Sequence, residues 1–176
     1  MILEKIGERR FLLADDRLLD WIAKRIDGLD ASNLKGFARA LGVVVDGEVI
    51  AAMAVGLWDR GCVEVIFAAD TPKWATRDTI RRMMAWPFVQ LNCHRVTTRI
   101  HAKNKRAIRF NEGIGFKREG LIREGWGPGE DCVLLGLLRS EAPEWMLVHD
   151  PLVNSGRAQE RGDPHSQATS ASVPVS

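Results

Sequence analysis

The sequence predicts a single mixed α/β domain. Three observations carry that prediction. Residues 63–116 read strand, loop, helix, strand, helix, and a strand–crossover helix–strand order implies a parallel pair. Upstream, two apolar runs at residues 40–45 and 49–58 flank Asp46-Gly47, the dipeptide that most strongly signals a hairpin. Downstream, residues 117–124 and 131–139 make a last hairpin, joined by the glycine-rich link 125–130, which is expected to move.

Taken in order, residues 8–14 read as a first strand. Asp15-Asp16 offers a helix cap, and Leu18, Leu19, Ile22 and Ile26 recur at helical spacing until Gly28 ends the run. Residues 29–38 fit a short helix or a loop. After the hairpin, Asp59-Arg60-Gly61 turns the chain into the strand at 63–69, so an antiparallel meander runs into the parallel pair. The loop 70–77 feeds a helix over 78–92. Its core face is Ile80, Met83, Met84, Phe88 and Leu91, and Pro87 should kink it. In the strand 94–102, Val96, Thr98, Ile100 and Ala102 alternate with Arg95, Thr97, Arg99 and His101, which puts His94 and His101 on opposite sides where they cannot share a metal. The second helix covers 104–115. The domain is expected to span residues 1–149. From 150 the chain turns to Ser, Gly, Pro, Gln and Ala, a composition that predicts a flexible tail over 150–176.

Composition narrows the function. With 45% hydrophobic residues the chain can build a core. A net charge of +2 and no set of stacking aromatics argue against a nucleic-acid partner. No apolar run approaches the roughly 18 residues that a membrane helix needs. Glu4 and Lys5 interrupt the N-terminus where a secretory signal would carry its apolar stretch. Cys62, Cys93 and Cys132 form no C-x-x-C pair, so neither a zinc site nor a disulfide framework is indicated, and a reducing, cytoplasmic setting fits. In an open α/β sheet, ligands bind at the carboxyl ends of strands, and a helix N-terminus there favours anions. Residues 68–79 are therefore the expected site of a phosphate-bearing ligand.

Asn104-Lys-Arg-Ala107-Ile-Arg-Phe-Asn111-Glu-Gly-Ile-Gly115-Phe116 resembles the N-x-x-A…G-F segment of the GNAT acyltransferases. Lys117-Arg-Glu-Gly120-Leu-Ile-Arg123, Trp86-Pro87-Phe88, Asp131 and Glu144-Trp145 are similar to the branch that holds the ribosomal-protein N-acetyltransferases. The resemblance covers residues 40–145. It implies a mixed sheet of six to seven strands, splayed at its central parallel pair, and an enzyme that moves acetyl from acetyl-CoA to an amine by direct attack. That amine would sit on a small molecule, a peptide or a protein. Acetyl-CoA would be the co-substrate, without a metal. By the resemblance the cofactor would be held by Phe67, Ala68, Ala69, Lys73, Trp74, Ala75, Thr76, Arg77, Asp78 and Thr79, with Asn104, Arg106 and Ala107 from the second helix.

Physical chemistry is compatible with those assignments. Amides at a helix N-terminus, with Lys73 and Arg77 beside them, suit a pyrophosphate. Asn104 can donate and accept, as an amide-bearing arm requires, and equally reads as a helix cap. Glu64 sits on the strand before the loop among apolar neighbours, where the resemblance places a glutamate general base. Backbone N–H groups near 67–69 could polarise the thioester carbonyl. Glu130 and Asp131 would favour a cationic acceptor. Two features depart from the family pattern. The loop Thr71-Pro-Lys-Trp-Ala-Thr-Arg-Asp-Thr79 has no glycine, which restricts a phosphate nest, and Asp78 adds negative charge. The family's acid is a tyrosine at the position of Asn111, and the chain has no tyrosine at all. An amide can bond to the sulfur but cannot release a proton, which leaves water to protonate the thiolate. The alternative is a GNAT-shaped binding module that has lost catalysis.

Overall fold

The computed structural model describes residues 3–6, 9–13 and 15–148. Its strands are β1 (Leu3–Ile6), β2 (Arg9–Leu13), β3 (Arg39–Val45), β4 (Glu48–Asp59), β5 (Cys62–Ala69), β6 (Arg95–His101), β7 (Lys117–Gly127) and β8 (Glu130–Leu138). Its helices are α1 (Asp16–Ala23), α2 (Arg77–Ala85) and α3 (Lys105–Gly113). The strands form one eight-stranded sheet in the order β1-β2-β3-β4-β5-β6-β8-β7. The mixed α/β class is as expected, and the sheet carries one strand more than the six to seven anticipated. Residue 149 and the tail expected over 150–176 lie outside the described residues.

The meander turns where the backbone can turn. Asp46 (φ 51°) and Gly47 (φ 86°) link β3 to β4, and Arg60 (φ 49°) and Gly61 (φ 78°) link β4 to β5. Two consecutive left-handed residues make the hairpin turn whose twist matches its strands. β5 then pairs in parallel with β6, but only at Cys62↔Arg95, Val63↔Val96 and Glu64↔Thr97. Beyond Glu64 the two strands diverge. Each stays held on its other edge, β5 by β4 as far as Ala69↔Ala51 and β6 by β8 as far as His101↔Cys132. The gap is therefore built into the sheet rather than a frayed end.

Side-chain alternation sorts the helices onto two faces. α1 lays Leu18, Leu19 and Ile22 on the small residues Ala40, Ala52, Ala54 and Ala68. A Cβ on Gly42 would come within 2.8 Å of Leu18, so that glycine sets how closely α1 approaches. The opposite face holds the larger core, with Met83, Met84, Phe88, Ile108 and Phe116 against Val65, Val96, Val133 and Leu135.

Two expectations change. Helix 78–92 does not simply kink at Pro87: α2 ends at Ala85 and widens into a π-helical turn, Trp86–Gln90. Pro87 brings no N–H, and the wider turn lets Leu91 N–H reach Trp86 O (3.0 Å) while Cys93 N–H bonds Pro87 O (2.9 Å). The 125–130 link is not a long loop either. β7 runs on to Gly127, and only Pro128-Gly129 turns, with Gly129 at φ 74°. Glu124 (φ 52°) bulges, its side chain accepts from Gly129 N–H (3.0 Å), and its own N–H donates to Asp131 Oδ1 (2.9 Å). Gly125 is there for close approach, since a Cβ would lie 2.7 Å from Cys132 Sγ.

Candidate active site at the divergence of two parallel strands

Three elements converge on the gap beyond Glu64: the end of β5, the loop into α2, and the start of α3. Thr76 caps α2, its Oγ1 accepting from Thr79 N–H (3.2 Å) and lying 2.8 Å from Thr79 Oγ1. The charge added by Asp78 is answered within its own helix by Arg81 (3.0 Å) and Arg82 (3.1 Å). Burial pushes the Asp78 carboxyl up, but these two guanidinium groups outweigh it and hold it below the usual carboxylate range.

α3 brings together two asparagines that the sequence shows only at helical spacing. Asn104 caps the helix, its Oδ1 accepting from Ala107 N–H (3.0 Å). Asn111 Nδ2 donates to Ala107 O (2.9 Å). The backbone N–H and C=O of Ala107 thus tie Asn104 and Asn111 into a row. The cap expected of Asn104 is realised. Arg106, beside them on α3, is exposed.

Between these walls lies Trp74. It ends the short 3₁₀ turn Pro72–Trp74 and is buried. Its ring centroid is 4.2 Å from that of Phe67 on β5 and 5.3 Å from that of Phe110 on α3. Ala68 packs toward α1, and Ala69 ends the pairing with β4. Lys73 is exposed beside the turn, and Ala75 packs against the larger core. The Arg77 guanidinium stands over Trp145, 5.0 Å from the ring centroid. The two line an open cavity of about 370 Å³ between α2 and the end of α3, with Ile80, Glu112, Gly115 and Pro143.

Glu64 faces the other way, toward the α1 side of the sheet. It is not the lone carboxylate that its apolar neighbours suggest. Arg99, on the strand opposite, grips both its oxygens at 2.7 Å and 3.2 Å. This hydrogen bond raises the guanidinium's own pKa further. Further along the same face Arg95 is paired with Glu119, and Cys132 is fully buried, its thiol pushed up by burial. At the far end Glu130 takes His101 (3.5 Å) and Lys103 (4.0 Å), while the His101 ring meets Trp126 edge-on at 5.6 Å. Glu130 and Asp131, expected to attract a cation, thus already have internal partners.

Arg99, Phe110 and Trp145 were not singled out as site residues from the sequence. Arg99 could have been found from the alternation of β6 once its register with β5 was known. Phe110 offers no signal of its own.

No family model matches the chain. It is 26% identical over 116 residues to leucyl/phenylalanyl-tRNA–protein transferase from Pseudomonas fluorescens (strain SBW25), which covers 61% of this chain and 50% of that one. The chain thus spans about half the length of that relative. It is 22% identical over 148 residues to the SPbeta prophage-derived uncharacterized N-acetyltransferase YokL of Bacillus subtilis (strain 168), covering 80% of each. Among solved structures it is similar to ribosomal-protein-S5-alanine acetyltransferase from Vibrio fischeri, with TM-score 0.62 at 15% identity over 81% of this chain and 100% of that one. Spermidine N-acetyltransferase from Vibrio cholerae matches with TM-score 0.62 at 16% identity, covering 76% and 95%. The eight-stranded sheet with its single diverging parallel pair is therefore the fold of the GNAT N-acetyltransferases.

Proposed function

We propose that this protein is an N-acetyltransferase that moves acetyl from acetyl-CoA to an amine. The observation that carries the reading is the ladder of β5 and β6, which stops after three pairs while both strands stay held on their outer edges. The inner edges of residues 65–69 and 98–101 thus offer main-chain groups to an extended, amide-bearing arm. The residues fit such a ligand: the backbone of 67–69, Lys73, the segment 75–79 with Arg77, and Asn104, Arg106 and Ala107 would hold it. When bound, acetyl-CoA supplies an acyl thioester.

The chain's own groups then divide the work. Glu64 lies at the fork, on the side from which the amine would approach, and takes the amine's proton through water. Arg99 steadies that carboxylate and sets its direction. Asn111 stands one helical turn after Ala107 and positions the sulfur end, while water supplies the proton that no tyrosine can give. The acceptor is a small-molecule or peptide amine, consistent with the spermidine and ribosomal protein named for the structural neighbours.

A second reading, a binding module without turnover, is favoured by the paired state of Glu64. One assay separates the two. Purified protein is given acetyl-CoA with spermidine or with an alanine-terminated peptide, and released CoA thiol is followed. Amine-dependent release above the protein-free blank is expected. Release no faster than the blank, for any amine in a broad panel, overturns the transferase reading.

A further inference from the structure

The loop that leads to α2 also places a large side chain between β5 and α3. Trp74 is 7% exposed although it stands between two turns of an otherwise polar loop. Its indole bridges Phe67, three residues past the last paired position of β5, and Phe110 on α3. One aromatic side chain therefore joins the two walls of the cleft.

The rest of the loop is tied down weakly. Lys73 N–H bonds Thr71 Oγ1 (3.3 Å), Ala75 N–H bonds Pro72 O (3.0 Å), and Thr76 N–H bonds Trp74 O (2.8 Å) around Ala75 at ψ 58°, a tight three-residue turn. The Thr76 side chain and carbonyl reach forward, to Thr79 and Ile80 at the start of α2. These bonds are local and survive a rigid swing of the segment. The indole, with Ala75 beside it, is what fastens residues 71–76 to the body of the protein.

We propose that Trp74 is a gate on the cofactor cleft: its indole occupies the space between β5 and α3 in the free protein and must leave it before an acyl-CoA arm can enter. The proposal rests on the transferase reading above. A ligand that binds only the open state has its apparent affinity reduced by the fraction of molecules that are open. Opening also uncovers Phe67 and Phe110 as an apolar wall beside the arm, which favours ligands that bring an extended arm over free phosphates.

The test is calorimetric titration of acetyl-CoA into the wild type, Trp74→Ala and Trp74→Phe, each checked for its fold by circular dichroism. Trp74→Ala is expected to bind at least tenfold more tightly than the wild type, and Trp74→Phe to lie between them. Wild-type binding with no gain in Trp74→Ala overturns the gate and leaves the transferase reading standing. Binding only in Trp74→Ala supports the gate in its closed form. Binding in neither folded protein overturns both. Should Trp74→Ala fail to fold, the wild type labelled with 5-fluorotryptophan decides. The resonance assigned to Trp74 by its loss in Trp74→Phe should move to a solvent-exposed position as acetyl-CoA is added, and a resonance that stays put at saturating ligand, or the absence of any ligand-induced change, overturns the gate.

Discussion

Glu64→Gln separates chemistry from architecture at the fork of the sheet. The substitution keeps the shape and removes the charge that Arg99 holds through two hydrogen bonds, at 2.7 Å and 3.2 Å. The Glu64 side chain is 15% exposed and that of Arg99 44%. Water still reaches the guanidinium, so stranding it costs less than in a sealed interior: about 1–2 kcal/mol, between an exposed pair and a buried charged hydrogen bond. For a chain of this size that is a fall in melting temperature of about 2–8 °C. If Glu64 also takes the amine's proton, turnover falls by about 10²–10⁴-fold, far more than the stability loss accounts for. Arg99→Gln should cost similar stability but retain most of the turnover, because the carboxylate remains. Thermal unfolding followed by circular dichroism, with thiol release for the chemistry, reads both effects. The double variant closes the cycle with a coupling of about 1 kcal/mol. Additive stabilities refute the pair, and full turnover in Glu64→Gln refutes the base.

Further expectations follow from the packing and the charges. Phe88→Ala empties a fully buried site beneath the π-helical turn and should cost about 3–5 kcal/mol in denaturant unfolding. Of the three thiols, only Cys62 is not buried, so a disulfide reagent at pH 8 should titrate one equivalent in the native protein and three in denaturant. Burial, helped by nearby Cys62, pushes the Cys93 thiol up to about 11 from 9.0. A raised thiol value adds stability that is complete below the unfolded value, so chemical stability should fall as pH rises from 9.0 through about 11, and Cys93→Ala should flatten that fall. The hydrogen bond from Arg25 holds Asp70 below its usual value of 3.8, against the opposing effect of burial. A depressed carboxylate adds stability above its unfolded value and loses it as pH falls through the folded one. Asp70→Asn should therefore melt below the wild type at pH 7, and the difference should close once the pH drops below 3.8.

The parts legible in the sequence are those whose signal is local. Asp46-Gly47 announces its turn because Asp and Gly take left-handed positions more readily than most residues. α1 shows in the spacing of Leu18, Leu19 and Ile22. β1 does not, because Leu3–Ile6 is four residues with charges at its centre. Pro87 marks an irregularity, but its kind depends on which N–H groups find the freed carbonyls of Trp86 and Pro87. Gly125 reads as flexibility, whereas its purpose is a close approach to Cys132 on the neighbouring strand. The site follows the same division. Glu64, Asn104 and Asn111 are visible as residue types at telling positions. The Arg99 partner is not, since residues 35 apart in sequence meet only once the parallel register is set. The glycine-free loop shows in the sequence what it lacks; its tryptophan, the one large apolar side chain among residues 71–76, is the signal of what stands between β5 and α3.

The central claim is that the diverging strands form a working site for acetyl-CoA. Calorimetric titration of acetyl-CoA into the wild type, with Arg77→Ala beside it, tests that claim most directly. Saturable binding that weakens when Arg77 is removed is the expected result. No heat at millimolar cofactor, in a protein shown to be folded, would contradict it and leave a GNAT-shaped module to be matched with a different ligand.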